Sequence, residues 1–89
     1  MCRNIKVLFN FDPPVSDDEI RAASLQYVRK ISGFSKPSKV NEAAFQAAVD
    51  AITTASRDLL HSLETNVPSK DRAEEAAKAH ARAVERFSR

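Results

Sequence analysis

Gln26-Tyr27-Val28-Arg29-Lys30-Ile31-Ser32-Gly33-Phe34-Ser35-Lys36-Pro37-Ser38 reads as the end of one helix, a corner, and the start of the next. Gly33 is the only glycine in the chain, and it stands where a closing helix needs a residue that tolerates left-handed backbone. Arg29 and Lys30 occupy the last turn before it, where cations complement the helix dipole. Pro37-Ser38 offers a pre-set φ and a short hydroxyl for a new helix start, with Asn41 as a competing cap. The stretch therefore predicts helix, corner, helix.

Working back from the corner, Ser16-Asp17-Asp18-Glu19 has the form of a capping box, with Ser16 and Glu19 at the reciprocal positions and acids where the helix N-terminus favours them. Ile20, Ala23, Tyr27 and Ile31 then fall on one face, widened by Leu25 and Val28. Upstream, Ile5, Val7, Phe9 and Phe11 alternate with Lys6, Leu8 and Asn10, the period of a half-buried extended segment. Asp12-Pro13-Pro14 ends it, since two prolines fix φ and remove donors. This arm has no partner strand in the sequence, so it is expected to lie across the helices or to pair with a second copy.

Working forward, Phe45, Val49, Ile52, Ser56, Leu59 or Leu60, and Leu63 recur at helical spacing, while Ala44, Ala47, Ala48, Ala51 and Ala55 make a second, smooth face. Two such faces predict a central helix with contacts on both sides. Thr65-Asn66-Val67-Pro68 breaks it, and Ser69 is expected to cap a third helix with Ala73, Ala77, His80, Val84 and Phe87 inward. The expected fold is all-α: helices at about 16–32, 38–64 and 69–87, with residues 1–14 as an extended arm and 15–89 as the helical body of one domain.

Composition bounds the function. The 89 residues fit one domain. Ile, Leu, Val and Phe number 21 and Ala 14, above the range of disordered chains but short of a deep core. A small alanine-rich core motivates a homodimer, through the alanine face or the arm. Net charge is +2, too small to demand a polyanion. The excess sits in residues 1–40, with seven Lys or Arg against four acids, whereas residues 41–89 carry seven against eight. One cysteine allows no internal disulfide, and the run from Ile5 to Phe11 is too short for a signal segment or a membrane span. These features predict a cytoplasmic protein with no membrane association.

Met1-Cys2-Arg3-Asn4-Ile5, Leu8-Phe9-Asn10-Phe11 with Pro13-Pro14, Leu25-Gln26-Tyr27-Val28-Arg29-Lys30 with Ser32-Gly33, Lys36-Pro37-Ser38, and Asn41-Glu42-Ala43-Ala44-Phe45 together make a specific set. In these stretches the chain resembles a bacterial family of short uncharacterised proteins, domain of unknown function 2277. The likeness covers most of the chain and fades in the third helix. It implies a compact cytosolic protein without an assigned activity, and marks Cys2 to Ile5 and the corner as family signatures.

Few residues suggest chemistry. Cys2, once Met1 is removed, would place a thiol and a free amine on one carbon, a possible nucleophile or chelate; the plainer reading is a small, soft side chain at the start of the arm. His80 reads as a packing histidine and His61 as a solvated one, and neither has a metal-ligand spacing with Cys2, so no metal or other cofactor is expected. The runs Asp17-Asp18-Glu19 and Glu74-Glu75 are explained as first-turn acids. A single glycine permits no phosphate-cradling loop. The corner is the best candidate: Arg29, Lys30, Lys36, Ser38 and Lys39 gather cations and free N–H groups near a helix start, which suits an anion, although Arg29 and Lys30 also serve their own helix dipole. No residue set in the sequence specifies a reaction and the function is not given by it; the best reading is a non-catalytic interaction module that binds an acidic partner or small anion at this corner. The alternative is a thiol-dependent enzyme or redox sensor using Cys2. Nucleic-acid binding is a lesser alternative, because the corner is longer than a helix-turn-helix turn and the next helix starts among alanines.

Overall fold

The structure, a computed structural model, describes residues 5–87. In order come a short strand β1 (Phe11–Asp12), helix α1 (Asp17–Ser32), a 3-10 turn (Lys39–Asn41), helix α2 (Glu42–Ser62), a second short strand β2 (Lys70–Asp71) and helix α3 (Arg72–Phe87). The all-α reading holds, with a minimal two-stranded sheet added to it.

Helix α1 forms where its ends say it should. The Glu19 N–H donates to Ser16 Oγ at 3.2 Å and the Ser16 N–H donates to Glu19 Oε1 at 3.1 Å, closing the capping box. At the other end Gly33 takes φ 78° and its N–H donates to the Arg29 carbonyl at 2.9 Å. Helix α2 starts less sharply. Its first turn is the 3-10 segment, where Asn41 Nδ2 donates to Ser38 Oγ at 2.9 Å, and neither Ser38 nor Asn41 makes a side-chain cap.

Helices α1 and α2 run antiparallel and pack through Ile20, Val28 and Val49, the buried hydrophobic residues among those described. Burial of one such side chain contributes about 1.5–3 kcal/mol. Ser24 and Thr53 are buried as well. Their hydroxyls donate back to the Ile20 and Val49 carbonyls at 3.0 and 2.7 Å, so two small polar groups sit in the contact without leaving a polar atom unmet. Arg21 Nη1 reaches Asp50 Oδ1 at 2.7 Å, and Arg57 Nε lies 3.2 Å from Asp17 Oδ1 without hydrogen-bond alignment. These half-exposed pairs set the pairing of the helices more than they stabilise it, at about 0–1 kcal/mol each.

Several expectations are corrected. The arm does have a partner: β1 pairs in parallel with β2, Phe11 against Lys70 and Asp12 against Asp71. The joint is built on Asn10, whose φ is 67°. Its carbonyl accepts from the Lys70 N–H at 2.8 Å, and its Nδ2 donates to the carbonyls of Val67 and Pro68, both at 3.2 Å. The alternation read for the arm does not hold: Leu8 is half-buried and Val7 is exposed. Asp71, not Ser69, caps α3, because β2 carries the chain to that point; Asp71 Oδ1 accepts from the Glu74 N–H at 2.9 Å.

Nor is α2 central. Its substantial helix contact is α1, and Ala44, Ala47, Ala51 and Ala55 are exposed with Ala48 half-buried. Helix α3 is held instead by β2 and by the Arg72–Glu19 ion pair, so it faces the arm. Ala73, Ala77, His80 and Val84, expected inward, are exposed, and the side chain of Phe87 lies outside what the structure describes. Arg72, Ala76, Ala79 and Arg82 line a cleft against the arm in their place. The helix is turned by one residue, about 100°, because the strand pairing and not an apolar stripe sets its phase. The radius of gyration is 15.9 Å, against about 12 Å for a compact domain of this length.

Candidate functional site

The corner between α1 and α2 forms a cleft of about 640 Å3 lined by Leu25, Arg29, Lys36, Phe45, Gln46 and Glu42, together with Ser35, Pro37 and Ala43. Leu25 and Arg29 are one turn apart on α1, so the same face supplies an apolar wall and a guanidinium. After Gly33 turns the chain, the Phe34 N–H donates to Ser32 Oγ at 3.2 Å and Arg29 Nε donates to the Ser35 carbonyl at 3.0 Å. Arg29 is thereby tied across the corner and half-buried, with its remaining guanidinium donors left for a further acceptor.

Of the five residues expected here, Arg29 and Lys36 line the cleft, and Lys30, Ser38 and Lys39 are exposed and do not. Ser38 is engaged in the 3-10 turn, accepting from Asn41 through both its carbonyl and its hydroxyl, each at 2.9 Å. Leu25, Phe45 and Gln46 were not expected as lining residues, though Leu25 stands one turn before Arg29 in the sequence.

Among the described residues the ion pairs lie elsewhere: Arg21–Asp50, Arg57–Asp17, Arg72–Glu19 and Lys78–Glu75. Asp50 is held below the usual aspartate range by hydrogen bonds from Arg21 and then Gln46, and Gln46 Nε2 donates to it at 3.2 Å. One wall of the cleft is thus ordered by the α1–α2 contact. Glu42 is the acid on the lining; it is exposed in the first turn of α2, where the helix dipole favours it.

The other candidate groups lie apart from the corner. Cys2 lies outside the described residues. His61 and His80 are both exposed, and no group of three or more His, Cys, Asp or Glu residues able to hold a metal occurs among the described residues. Glu19 of the first acidic run is held below the usual glutamate range by the Ser16 backbone N–H and then by Arg72, so its role is to join α1 to α3. No helix among the described residues is long and apolar enough to cross a membrane.

No curated protein and no solved structure matches the chain. A family model does, over residues 1–78, which takes in the arm, the corner, the whole of α2 and the first turns of α3. The chain therefore belongs to the family described as uncharacterized conserved protein, DUF2277.

Proposed function

We propose that this chain is a non-catalytic interaction module whose corner receives an acidic group, either a carboxylate of a partner protein or a small anion. The observation that supports this is Arg29: its Nε is fixed on the Ser35 carbonyl at 3.0 Å, and it shares the cleft with Lys36 and with the apolar side chains of Leu25, Pro37 and Phe45. A planar guanidinium with free donors beside an ammonium recognises carboxylate and phosphate oxygens. The apolar walls suit the stem of an acidic side chain, and Glu42 opposes a bulky polyanion. Lys30 and Lys39 add charge nearby, and Ser38 orders the turn.

The test is an amide and arginine-Nε NMR titration with inorganic phosphate and, separately, with a short glutamate-rich peptide. Shifts confined to Arg29 and residues 34–46, weakening as salt rises, are expected. An Arg29→Ala/Lys36→Glu variant should bind at least roughly tenfold more weakly, a loss of about 1.4 kcal/mol. Absence of shifts with both probes, or equal affinity in the variant, would refute the proposal. A thiol-dependent activity at Cys2 would instead persist in that variant and disappear in Cys2→Ser.

A further inference from the structure

The α1–α2 hairpin has a second face, on the far side of α1 from the corner cleft. Tyr27 is two residues from Arg29, which is about 200° around a helix, so the two point away from each other. Ala23 and Tyr27 of α1 and Ile52, Ser56 and Leu59 of α2 line an open groove of about 350 Å3, and the arm closes its side at Ile5, Lys6 and Leu8. Ile31 and Leu63 extend the two stripes by one turn. These side chains are far from buried: Tyr27 is 46% exposed, Ile31 66%, Leu59 56% and Leu63 44%. Two helices presenting one apolar face are half of a layered core, and an apolar area of this kind on a small chain marks an interaction surface.

The charges say what covers it. Because Arg57 lies against Asp17 and Arg21 against Asp50, the start of α1 sits beside the end of α2. One end of the hairpin carries Arg29, Lys30, Lys36 and Lys39 with the single acid Glu42, and toward the other lie Asp17, Asp18, Glu19, Asp58 and Glu64 against Arg21, Arg57 and, from α3, Arg72. The layer is basic at one end and acidic at the other. A surface with this arrangement complements itself when turned end for end.

We propose that this face is covered by a second copy of the chain, related by a two-fold axis that lies in the interface and runs across the helices. That axis sets α1 against α1 and α2 against α2, each pair antiparallel, and brings the basic end of each copy, through Lys30 about one turn beyond Tyr27 on α1, beside the acidic end of the other. A two-fold axis along the helices would bury the same apolar face but set corner on corner, like charge against like. Midway along α1, Ala23 of each copy lies against Tyr27 of the other with the two Ala23 side chains close to the axis, and the corner clefts remain open on the outer sides.

Sedimentation velocity on the full chain at micromolar concentration tests the assembly, and crosslinking tests its geometry. The wild type is expected to sediment as a dimer that weakens at high salt. Tyr27→Glu and Leu59→Glu should each weaken it by roughly tenfold or more, while Val84→Glu on α3 should not. Because a charged substitution in the hairpin can unfold it, the geometry is read from two mild variants in a Cys2→Ser background. Ala23→Cys should join two chains through a short bis-maleimide, and Ala22→Cys, on the outer side of α1, should not. A monomer at these concentrations overturns the proposal, and so does a dimer that crosslinks through Ala22→Cys and not Ala23→Cys.

Discussion

Asn10→Asp is the substitution that most directly tests how the third helix is attached. Asn10 holds the joint between the arm and β2: its backbone accepts from the Lys70 N–H at 2.8 Å, and its amide donates to the Val67 and Pro68 carbonyls, each at 3.2 Å. Aspartate has the same shape and shares the tolerance for the left-handed backbone seen here at φ 67°. At neutral pH, however, it has only acceptors and would face two carbonyl oxygens. The two lost bonds are exposed, so each contributes toward the lower end of about 0.5–1.5 kcal/mol, and the pair about 1–2 kcal/mol. Opening of the joint should therefore become roughly tenfold more frequent, since 1.4 kcal/mol is a factor of ten. Hydrogen exchange resolved by residue is the assay. The Lys70 amide and the first turn of α3 should exchange roughly tenfold faster, with the buried centre of α1 and α2 unchanged. Asn10→Ala should be worse by a further ~1 kcal/mol, because a Cβ with no local hydrogen bond pays for the left-handed conformation. Unaltered exchange at Lys70 in Asn10→Asp would refute the claim that this joint holds α3 to the body.

Two further outcomes follow from the helix ends. Gly33→Ala should destabilise by about 1 kcal/mol, a fall in Tm of roughly 4–8 °C for a domain of this size. A Cβ at Gly33 would meet nothing within 4 Å at φ +78°, so the penalty is conformational alone, and a much larger drop in thermal unfolding would mean that a steric contact is involved. Acid should loosen the α1–α3 link. Glu19 and Asp50 both have lowered values in the folded chain, relative to ordinary values of 4.5 and 3.8. Their contribution is therefore fully present above those ordinary values and is lost as pH falls through the lowered ones. Stability measured by denaturant titration should be flat from neutral pH down to about pH 5 and decline below it, and Glu19→Gln should flatten the decline.

The ends of α1 are legible because they rest on local chemistry. Ser16 with Glu19, and Gly33, act within four residues of themselves, so the residue types carry the information. The corner was legible for the same reason, and Arg29 and Lys36 could be named from it. The walls of the cleft could not, since Phe45 and Gln46 reach it only through the packing of α2 on α1. Ser24 and Thr53 are not legible as interface residues in the sequence, because a polar side chain belongs on an apolar face only when its hydroxyl bonds to its own helix. For the third helix the sequence shows its existence and its end, but neither its start, which β2 moves to Arg72, nor its rotation about its axis. Its alanines lie on several faces, so periodicity could not choose between Ala76 and Ala77 or between Ala79 and His80.

By itself, then, the sequence determined three helices, both caps of α1 and a charged corner, all of which follow from residue type at short range. Only the tertiary structure decided that the arm pairs with β2, that α3 packs on the arm, and that one face of the α1–α2 pair is left open by the described residues. Those outcomes depend on contacts more than fifty residues apart, such as Asn10 with Val67 and Glu19 with Arg72. A left-handed asparagine and a single ion pair leave no period in the sequence from which such contacts could be read.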